Sequence, residues 1–441
     1  MSRDPWHTLV VDPVRGVSAP KVKIIVIGDE LLEGRTIDSN SQRIQRALGG
    51  HGLQVSYIQT VPDNPHDVAT ALDRTDAGDI VFISGGLGST PDDLTRESVA
   101  QWSGGSLREN AAVRKWLSER WRRRGVKAGA GIEKQCEVPE GMIPVENPVG
   151  SAPGLVGTLR GRTVIMLPGV PDELEGLLPL CLQWLTDQGV MPALHPTLLW
   201  RTAQLSELAL VRKCEALRKK HSDLRWSWWL GEWGVDLRLS TQAANADSLA
   251  EAGRALDATL GPLVYARQSL ELPEVVQSKM VAAGLTLSVA ESCTAGLLGA
   301  AFTEAPGSSH FFKGGFLAYA NEVKHELLGV PEDILQNFGA VSQETVRFMA
   351  AGCQQKMGTD YALAVSGISG PDGGVAGKPV GTTWLGLATP DRVFAFCYRF
   401  PANRHRNRRL TVSAAVDSLR RVLELGSEEP PWFADETWCR P

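Results

Sequence analysis

The stretch Val22-Lys23-Ile24-Ile25-Val26-Ile27 decides the fold class, and Gly28-Asp29-Glu30 follows it directly. A β-branched apolar run of this kind predicts a strand that is buried on both faces, as in a parallel sheet. Further strand-like runs at 53–60 and 79–83 alternate with helical spacing at 39–48 and 65–73. This alternation predicts an α/β domain, in which ligands bind beyond the carboxyl ends of the strands.

The bulk composition is that of a globular protein with two or three domains. The chain has 441 residues, of which 43% are hydrophobic and 22% are charged, so it can bury sizeable cores. Its 45 basic and 50 acidic residues give a formal charge of −5, which provides no global field for nucleic acid or an anionic membrane. The cysteines form no C-x-x-C pair, so we expect neither a disulfide framework nor a structural zinc site. The first residues lack the apolar run of a secretory signal, and no segment reaches the roughly 20 apolar residues of a membrane span, so we expect a reducing, cytoplasmic compartment.

Changes in sequence texture predict three domains and two tails. Residues 21–194 form the α/β domain that contains the opening strand. Residues 195–270 contain a Trp-rich strand pair between helical segments, which predicts a small α+β module. Residues 271–425 alternate strands and helices again and predict a second α/β domain. Residues 1–20 and 426–441 are expected to be tails.

The middle module carries a motif with two interpretations. Gly231-Glu232-Trp233-Gly234 matches the G-x-x-G of a nucleic-acid-binding loop. It lies between two strand-like runs, however, where glycines simply make a hairpin turn. We favour the hairpin, and we interpret the tryptophans around it as packing rather than base-stacking residues.

A candidate nucleophile follows a strand-like run in the second α/β domain. Glu291-Ser292-Cys293-Thr294 comes after the run 285–290, at the start of a helical segment. The N–H groups of a first helical turn have no intrahelical partner, so Ser292 lies at a natural oxyanion site. Cys293 is a rival nucleophile, although a lone cysteine beside a strand end is usually a small buried hydrophobe.

A serine nucleophile needs a base, and Lys324 is the better candidate. The nearby histidines, His310 and His325, have no obvious carboxylate partner in sequence. A lysine acts as a base only when it is held neutral, and Tyr319 provides a neighbouring hydroxyl. The spacing alone nevertheless favours a simpler interpretation, in which Ser292 caps a helix and the lysine is solvated.

Two further features of this domain indicate an anion. The segment 367–374 is rich in glycine, which lets backbone amides approach a ligand closely. Arginines open the final helical segment, where cations oppose the helix dipole and a bound phosphate would explain them. A solvated basic face explains them equally well. The residues that would bind this anion are Gly367, Gly370, Gly373, Gly374, Arg404, Arg406, Arg408 and Arg409.

The first domain has its own glycine loop, Gly85-Gly86-Leu87-Gly88, followed by adjacent carboxylates at Asp92 and Asp93. Such a pair can hold a hard divalent cation that bridges to a substrate phosphate. Asp63 and Glu30 can join from neighbouring loops. An aspartate at a helix start is also an ordinary cap, and this alternative stays open.

Several of these motifs, taken in order, resemble the CinA family over about residues 22–423. The resemblance rests on motifs spread along the chain: Gly28-Asp29-Glu30-Leu31-Leu32, Gly85 to Thr95, Asn147 to Gly154, Leu167-Pro168-Gly169-Val170-Pro171, Glu291 to Thr294, and Gly367 to Gly374 with Lys378-Pro379-Val380-Gly381. Members of this family join a molybdopterin-binding-like three-layer domain to a small KH-type α+β domain and a C-terminal α/β deamidase domain. The resemblance implies this same architecture here.

The resemblance also implies an activity for the C-terminal domain. The family hydrolyses nicotinamide mononucleotide to nicotinic acid mononucleotide and ammonia, in salvage of pyridine nucleotides and without a cofactor. It uses a serine and lysine pair, which corresponds to Ser292 and Lys324 with Tyr319 assisting. Cys293 and Thr294 are then expected at the substrate, together with the glycines and with Arg404 and Arg408.

Some family members also hydrolyse ADP-ribose with a divalent metal in the first domain, for which Mg, Mn or Co would serve. This implies metal ligands at Asp93 and Asp63 first, with Asp92. A nucleotide would bind at the strand ends, where the expected residues are Gly28, Glu30, Asn40, Gly85, Gly86 and Gly88.

This sequence departs from the family pattern at two informative places. Ser89 replaces a usual proline in the metal loop, and Ala295 replaces a usual glycine after the nucleophile. By analogy with such folds we expect a homodimer that acts on small nucleotides, with neither membrane nor nucleic acid as a partner. The alternative functions are a non-catalytic accessory role in competence and DNA uptake, and the binding of a molybdopterin-type ligand.

Overall fold

A computed structural model of the protein describes residues 20–50, 53, 55–123, 125, 131–190, 196–241 and 246–426. The tails expected at 1–20 and 426–441 lie outside the described residues, apart from Pro20 and Gly426. The chain divides into two compact units between His195 and Pro196. Within the described ranges, no helix is both long and apolar enough to cross a bilayer.

The N-terminal unit is built on a six-stranded sheet. Its elements are β1 (Val22–Ile27), α1 (Asp29–Leu32), α2 (Asn40–Gly50), β2 (Val55–Val61), α3 (Pro65–Asp73), β3 (Ile80–Ser84), α4 (Thr95–Ser103), β4 (Leu107–Glu109), α5 (Ala111–Arg123), α6 (Gly131–Gln135), β5 (Glu137–Pro139), β6 (Met142–Val145), β7 (Gly154–Leu159), β8 (Arg162–Leu167) and α7 (Pro171–Asp187). The order β2-β1-β3-β8-β7-β6 is parallel from β2 to β8 and antiparallel beyond.

Helices cover both faces of this sheet because successive side chains of a strand point to opposite faces. Ile24 and Val26 pack with α2 and α7, whereas Ile25 and Ile27 pack with α3, α4 and α5. Every residue of β1 is buried, as the opening run predicts. The predicted three-layer α/β domain is therefore confirmed.

The second unit begins with a four-stranded antiparallel sheet of order β10-β11-β9-β12. Its elements are β9 (Thr197–Ala203), α8 (Glu207–Lys220), β10 (Arg225–Leu230), β11 (Gly234–Ser240), α9 (Ala246–Leu260) and β12 (Val264–Ala266). The predicted α+β module is present, and its G-x-x-G motif forms the turn of the β10–β11 hairpin. The KH type of this module stays a prediction.

The same unit continues into a five-stranded sheet of order β14-β13-β15-β16-β17. Its elements are α10 (Leu272–Ala283), β13 (Leu287–Glu291), α11 (Leu297–Thr303), β14 (Phe312–Leu317), α12 (Asn321–Leu328), α13 (Glu332–Asn337), α14 (Gln343–Met357), β15 (Tyr361–Gly367), β16 (Thr382–Ala388), β17 (Val393–Arg399) and α15 (Arg404–Leu425). β13 runs parallel to β14 and β15, so the carboxyl ends of these three strands meet at one edge. This edge carries the candidate active site.

Candidate active site

Ser292 follows β13 directly, at the edge where three parallel strands end. Glu291, the last residue of β13, pairs with Leu317 of β14 and with Val365 of β15. The Ser292 N–H group donates to the Val365 carbonyl at 3.0 Å, and the serine is 9% exposed. Helix α11 begins only at Leu297. The serine therefore lies on a turn between the strand and the helix, not in the first helical turn as predicted.

The carboxylate of Glu291 holds this turn together. It is buried and accepts hydrogen bonds from the Thr294 hydroxyl at 2.6 Å and from the N–H groups of Gly296 at 2.9 Å, Leu298 at 3.0 Å and Gly299 at 2.8 Å. These N–H groups lie at the start of α11, and the first N–H groups of a helix have no intrahelical partners. The expectation that they form the oxyanion site is wrong, because Glu291 already occupies them.

An N–H group of the turn itself remains available. In the part of the chain that the structure describes, no acceptor lies within hydrogen-bonding distance of the Cys293 N–H or the Thr294 N–H. Thr294 is fully buried, whereas Cys293 retains some exposure. The N–H of the residue after a nucleophile is a common oxyanion donor on strand-to-helix turns. Cys293 is therefore the candidate donor, through its backbone.

Lys324 lies in the first turn of α12 and is 1% exposed. Its Nζ atom donates to the Tyr319 carbonyl oxygen at 2.7 Å. Burial lowers the pKa of Lys324 below its ordinary value of 10.5, and interactions with Cys293 and Glu322 oppose this shift less strongly. The Ala318 N–H donates to the Glu291 carbonyl at 2.8 Å, so the segment that connects β14 to α12 runs beside the turn that carries Ser292. The prediction of a solvated lysine is excluded by this burial.

The expected role of Tyr319 takes a different form in the structure. Its side chain is 61% exposed, and its backbone carbonyl, not its phenol hydroxyl, contacts the lysine amine. No direct hydrogen bond between Ser292 Oγ and Lys324 Nζ is present among the described contacts. The Tyr319 carbonyl, in the segment that connects β14 to α12, therefore holds the Lys324 amine in place.

Cys293 and Thr294 are both buried, and neither side chain faces solvent. Burial raises the pKa of the Cys293 thiol to about 11, so the thiol is protonated at neutral pH and is a weak nucleophile. The Thr294 hydroxyl already donates to Glu291. These side chains therefore build the turn, and the substrate contacts predicted for them are left to the backbone.

The glycine loop after β15 packs mainly on its own chain. Gly367 ends β15 with no room for a side chain, since an added Cβ would lie 2.7 Å from Thr383 Oγ1 and 3.2 Å from Cys293 Sγ. Gly370 has a φ of +89°, and a Cβ there would lie 2.7 Å from Val380. Gly373 also has a positive φ, and Gly374 lies against Val380. The loop thus closes beside the nucleophile turn.

Two arginines of α15 bind backbone carbonyls at this edge. Arg408 donates from Nε to the Cys293 carbonyl at 3.0 Å and from Nη2 to the Thr294 carbonyl at 2.5 Å. Arg404 is exposed and donates to the Gly370 carbonyl at 3.0 Å. Asn407, which the sequence did not single out, is buried and donates to the Ser369 carbonyl at 3.1 Å. Arg408 therefore holds the turn that carries Ser292. The exposed Arg404 has guanidinium donors left for a ligand.

The N-terminal glycine loop is closed by Asp93. Its carboxylate accepts from the Gly88 N–H and the Thr90 N–H, both at 2.8 Å, and from the Thr90 hydroxyl. An added Cβ at Gly88 would lie 2.4 Å from Asp93 Oδ2. The buried guanidinium of Arg96 donates to the Gly88 carbonyl at 3.3 Å and to the Leu87 carbonyl. The loop is thus built by an acid and an arginine of its own.

The predicted metal set of Asp93, Asp92 and Asp63 does not come together as three ligands. Among the described residues, no group of three His, Cys, Asp or Glu side chains is arranged to hold a metal ion. Asp63 accepts the Asp29 N–H at 3.0 Å, and burial raises its pKa, with smaller contributions from the charges of Asp29, Glu30 and Asp92. The set does not fit a metal because Asp93 is committed to its loop.

The predicted nucleotide-binding residues do gather at the strand ends. Asn40, at the start of α2, is 7% exposed and donates to Ser84 Oγ at 3.0 Å and to the Gly169 carbonyl at 2.8 Å. Its Oδ1 atom has no partner, and neither has the buried Ser41 hydroxyl, within the described structure. Gly85 and Gly86 approach Ile27 and Thr95 too closely for a Cβ, and Gly28 approaches Glu30 in the same way. These glycines therefore serve loop packing first.

Comparisons with known proteins agree with this architecture. The family model described as CinA C-terminal domain matches residues 269–423, and the model described as Probable molybdopterin binding domain matches residues 23–187. A CinA-like protein of Gemmatimonas aurantiaca is 37% identical over 428 residues, covering 93% of this chain and 99% of that protein. A CinA-like protein of Parasynechococcus marenigrum is 37% identical over 413 residues, covering 91% and 98%.

Among solved structures, the competence/damage inducible protein CihA of Agrobacterium tumefaciens is 38% identical, covers 35% of this chain and 93% of its own, and has a TM-score of 0.34. The model of the C-terminal domain and the full-length relatives carry the same family name. The chain belongs to the CinA family.

Proposed function

We propose that the C-terminal domain hydrolyses the carboxamide of nicotinamide mononucleotide to nicotinic acid mononucleotide and ammonia. One observation carries the proposal: a buried lysine with a lowered pKa lies beside the turn of a buried serine, where three parallel strands end. Burial of an amine without a carboxylate partner costs stability, and perturbed groups of this kind cluster at functional sites.

The pair supplies a nucleophile and its base. Ser292 Oγ attacks the carboxamide carbon while the neutral Nζ of Lys324 accepts the hydroxyl proton. One N–H of the amine stays bonded to the Tyr319 carbonyl, which leaves the lone pair for this proton. As the C–N bond breaks, Lys324 returns the proton to the leaving ammonia. Water then cleaves the acyl-enzyme with the same lysine as base.

The surrounding groups stabilise charge and hold the nucleotide. The Cys293 N–H is the candidate donor to the oxyanion of the tetrahedral intermediate. Arg404 is the better of the two arginines for the 5′-phosphate, because Arg408 already donates to two carbonyls of the turn. Phosphate binding far from the reacting carbon supplies the binding energy that orients the amide.

Ammonia release from nicotinamide mononucleotide tests the proposal. Replacement of Ser292 by Ala should lower kcat about 1000-fold or more, because the covalent path is lost. Cys293→Ala is the matched control on the neighbouring position and should stay within about tenfold of the unmodified protein, because the thiol is protonated and buried. Activity that survives the serine change and disappears with the cysteine change would transfer the nucleophile role to Cys293.

A second candidate is hydrolysis of ADP-ribose by the N-terminal domain. It is favoured by the unpartnered, buried Asn40 Oδ1 and Ser41 hydroxyl at the strand ends, which a nucleotide could satisfy. AMP formation with and without a chelator tests this candidate, and Ser292→Ala should leave it unchanged.

A further inference from the structure

Trp233, in the turn of the middle-module hairpin, is buried in the core of the C-terminal domain. It is 6% exposed and belongs to a hydrophobic cluster formed mostly by residues of α10, β13, β16, β17 and α15. The other tryptophans of the hairpin differ from it. Trp226 and Trp228 pack on the middle module's own core, and Trp229 is 45% exposed. Trp233 therefore joins the two sheets of this unit, together with Ala203 of β9 and with Tyr265 and Ala266 of β12.

Polar contacts fix the same turn on helix α15. The buried Ser413 hydroxyl donates to the Trp233 carbonyl at 3.0 Å. Arg409 pairs with Glu232 at 2.6 Å, although both side chains are half exposed, so this ion pair contributes little by itself. The Trp233 side of the G-x-x-G turn is thus held against α15.

The turn end of the hairpin is also held by Arg201. Arg201 of β9 is 8% exposed, and its guanidinium pairs with Asp236 at 3.2 Å and with Glu271 at 3.0 Å. It also donates to the Leu270 carbonyl at 2.7 Å. Glu271 in turn caps α10 through a capping box. Movement of this end of the hairpin away from the start of α10 would therefore break charged hydrogen bonds of the largely buried Arg201 guanidinium.

The hairpin packs on α15, and α15 also binds the turn that carries Ser292. Arg408, which binds the Cys293 and Thr294 carbonyls, is five residues from Ser413 on α15. Five residues span about 7.5 Å along a helix axis, a distance over which a buried helix moves as one body. A displacement at Trp233 would therefore reach Arg408 and the peptide groups beside Ser292.

We propose that the middle module is a positioning element for the C-terminal active site, with Trp233 as its positioning residue. The module sets where α15 lies, and α15 sets the orientation of the peptide groups that follow Cys293 and Thr294, because Arg408 binds their carbonyls. This inference rests on the proposed amide hydrolysis for its effect on rate, but its structural half, the coupling of the hairpin to the nucleophile turn, can be measured without any activity.

The experiment compares Trp233→Ala with Trp229→Ala, which removes the same side chain from the exposed side of the same hairpin. Both are made in the full chain, and Trp233→Leu and Trp233→Phe accompany them. For Trp233→Ala we expect kcat/KM for ammonia release to fall at least tenfold and amide hydrogen exchange at residues 292–296 to accelerate at least tenfold, with β15 unchanged. Trp229→Ala should stay within twofold in both measurements, and Trp233→Phe should recover most of the loss.

Each outcome decides the matter. An active parent protein in which Trp233→Ala behaves like Trp229→Ala overturns the positioning role. A parent protein that releases no ammonia overturns the proposed function instead, and the exchange comparison then decides the coupling alone. If Trp233→Ala does not fold by circular dichroism, Trp233→Leu takes its place with the same expectations, since it keeps more of the buried volume. Uniformly faster exchange across the unit would indicate lost stability only and would also contradict the proposal.

Discussion

The N-terminal glycine loop and the C-terminal turn that carries Ser292 are built alike and yet leave different groups free. Each follows a buried strand, and each is closed by one carboxylate and one arginine that bind the loop's own backbone. In the C-terminal domain these are Glu291 and Arg408. In the N-terminal domain they are Asp93 and Arg96. In both loops the closest acid is a structural residue and not a ligand.

What remains after the loop is closed differs sharply between the two. The C-terminal turn leaves a buried serine and a buried lysine whose pKa is lowered. The N-terminal loop leaves Asp92, which is exposed, and Asp63, which already accepts a backbone N–H. Catalytic groups are often those whose pKa is shifted by burial and whose side chains make no hydrogen bonds that hold the loop together. The comparison therefore favours catalysis at the C-terminal site and ligand binding at the N-terminal one.

The largest effect is expected at Lys324, the residue that most separates the two sites. Lys324→Met should lower kcat for ammonia release about 1000-fold, because the Glu291 carboxylate, the other acceptor at the turn, is already bound by four donors. The same change should leave the unfolding free energy unchanged or raise it by about 1 kcal/mol, since it replaces a desolvated amine by an apolar side chain of similar length. Steady-state kinetics and urea denaturation measure the two quantities.

The pH profile of the unmodified protein is the control for that result. Only the neutral amine accepts a proton, so the rate should rise with pH and level off at the folded pKa of Lys324, which burial places below 10.5. A profile that is flat through this range, or a Met variant that is much less stable than its parent, would mean that Lys324 is a structural residue.

The second effect tests whether the two loop-closing acids are equivalent. Glu291→Gln should lower the stability of the C-terminal unit by about 1.5–3 kcal/mol, because one charged acceptor serves four donors, and should lower kcat about tenfold or more. Asp93→Asn should lower stability by about 1–2 kcal/mol and leave ammonia release unchanged. Differential unfolding and the ammonia assay on both variants provide the comparison. Equal loss of activity in both would remove the distinction between the loops.

Sequence patterns predicted the parts of this molecule that depend on periodicity. The run Val22–Ile27 is a fully buried strand, and the predicted helix at 65–73 has the observed bounds. The direction of individual hydrogen bonds could not be predicted in this way. A carboxylate at the end of a strand, such as Glu291, can face a ligand or its own helix, and only the folded turn decides between them. The same limit applies to Asp93.

Long-range contacts were hidden from the sequence for a related reason. Arg408 lies more than a hundred positions from the carbonyls it binds, and Trp233 joins a core formed by later elements. The arginine cluster suggested an anion site, but Arg408 binds two backbone carbonyls. One signal was nevertheless present: Glu291 is an acid that directly extends an apolar strand, where an unpaired charge is not tolerated.

The smallest effect sharpens the comparison at the level of backbone conformation. The N-terminal loop uses glycine where φ is positive, at Gly85 and Gly86, whereas the C-terminal turn has Ala295 at a φ of 48°. A residue with a Cβ pays about 1–2 kcal/mol to adopt the left-handed conformation. A glycine avoids this cost, but its unfolded chain has more entropy, which offsets part of the gain in stability. Ala295→Gly should therefore stabilise the unit by about 0.5–1 kcal/mol, read as a rise in Tm of a few degrees. Gly296→Ala is the matched opposite, since an added Cβ meets nothing within 4 Å and only the φ of +96° acts against it. It should lower Tm by a similar amount, and a fall in Tm for Ala295→Gly would mean that the exposed methyl group has a packing role that outweighs the backbone.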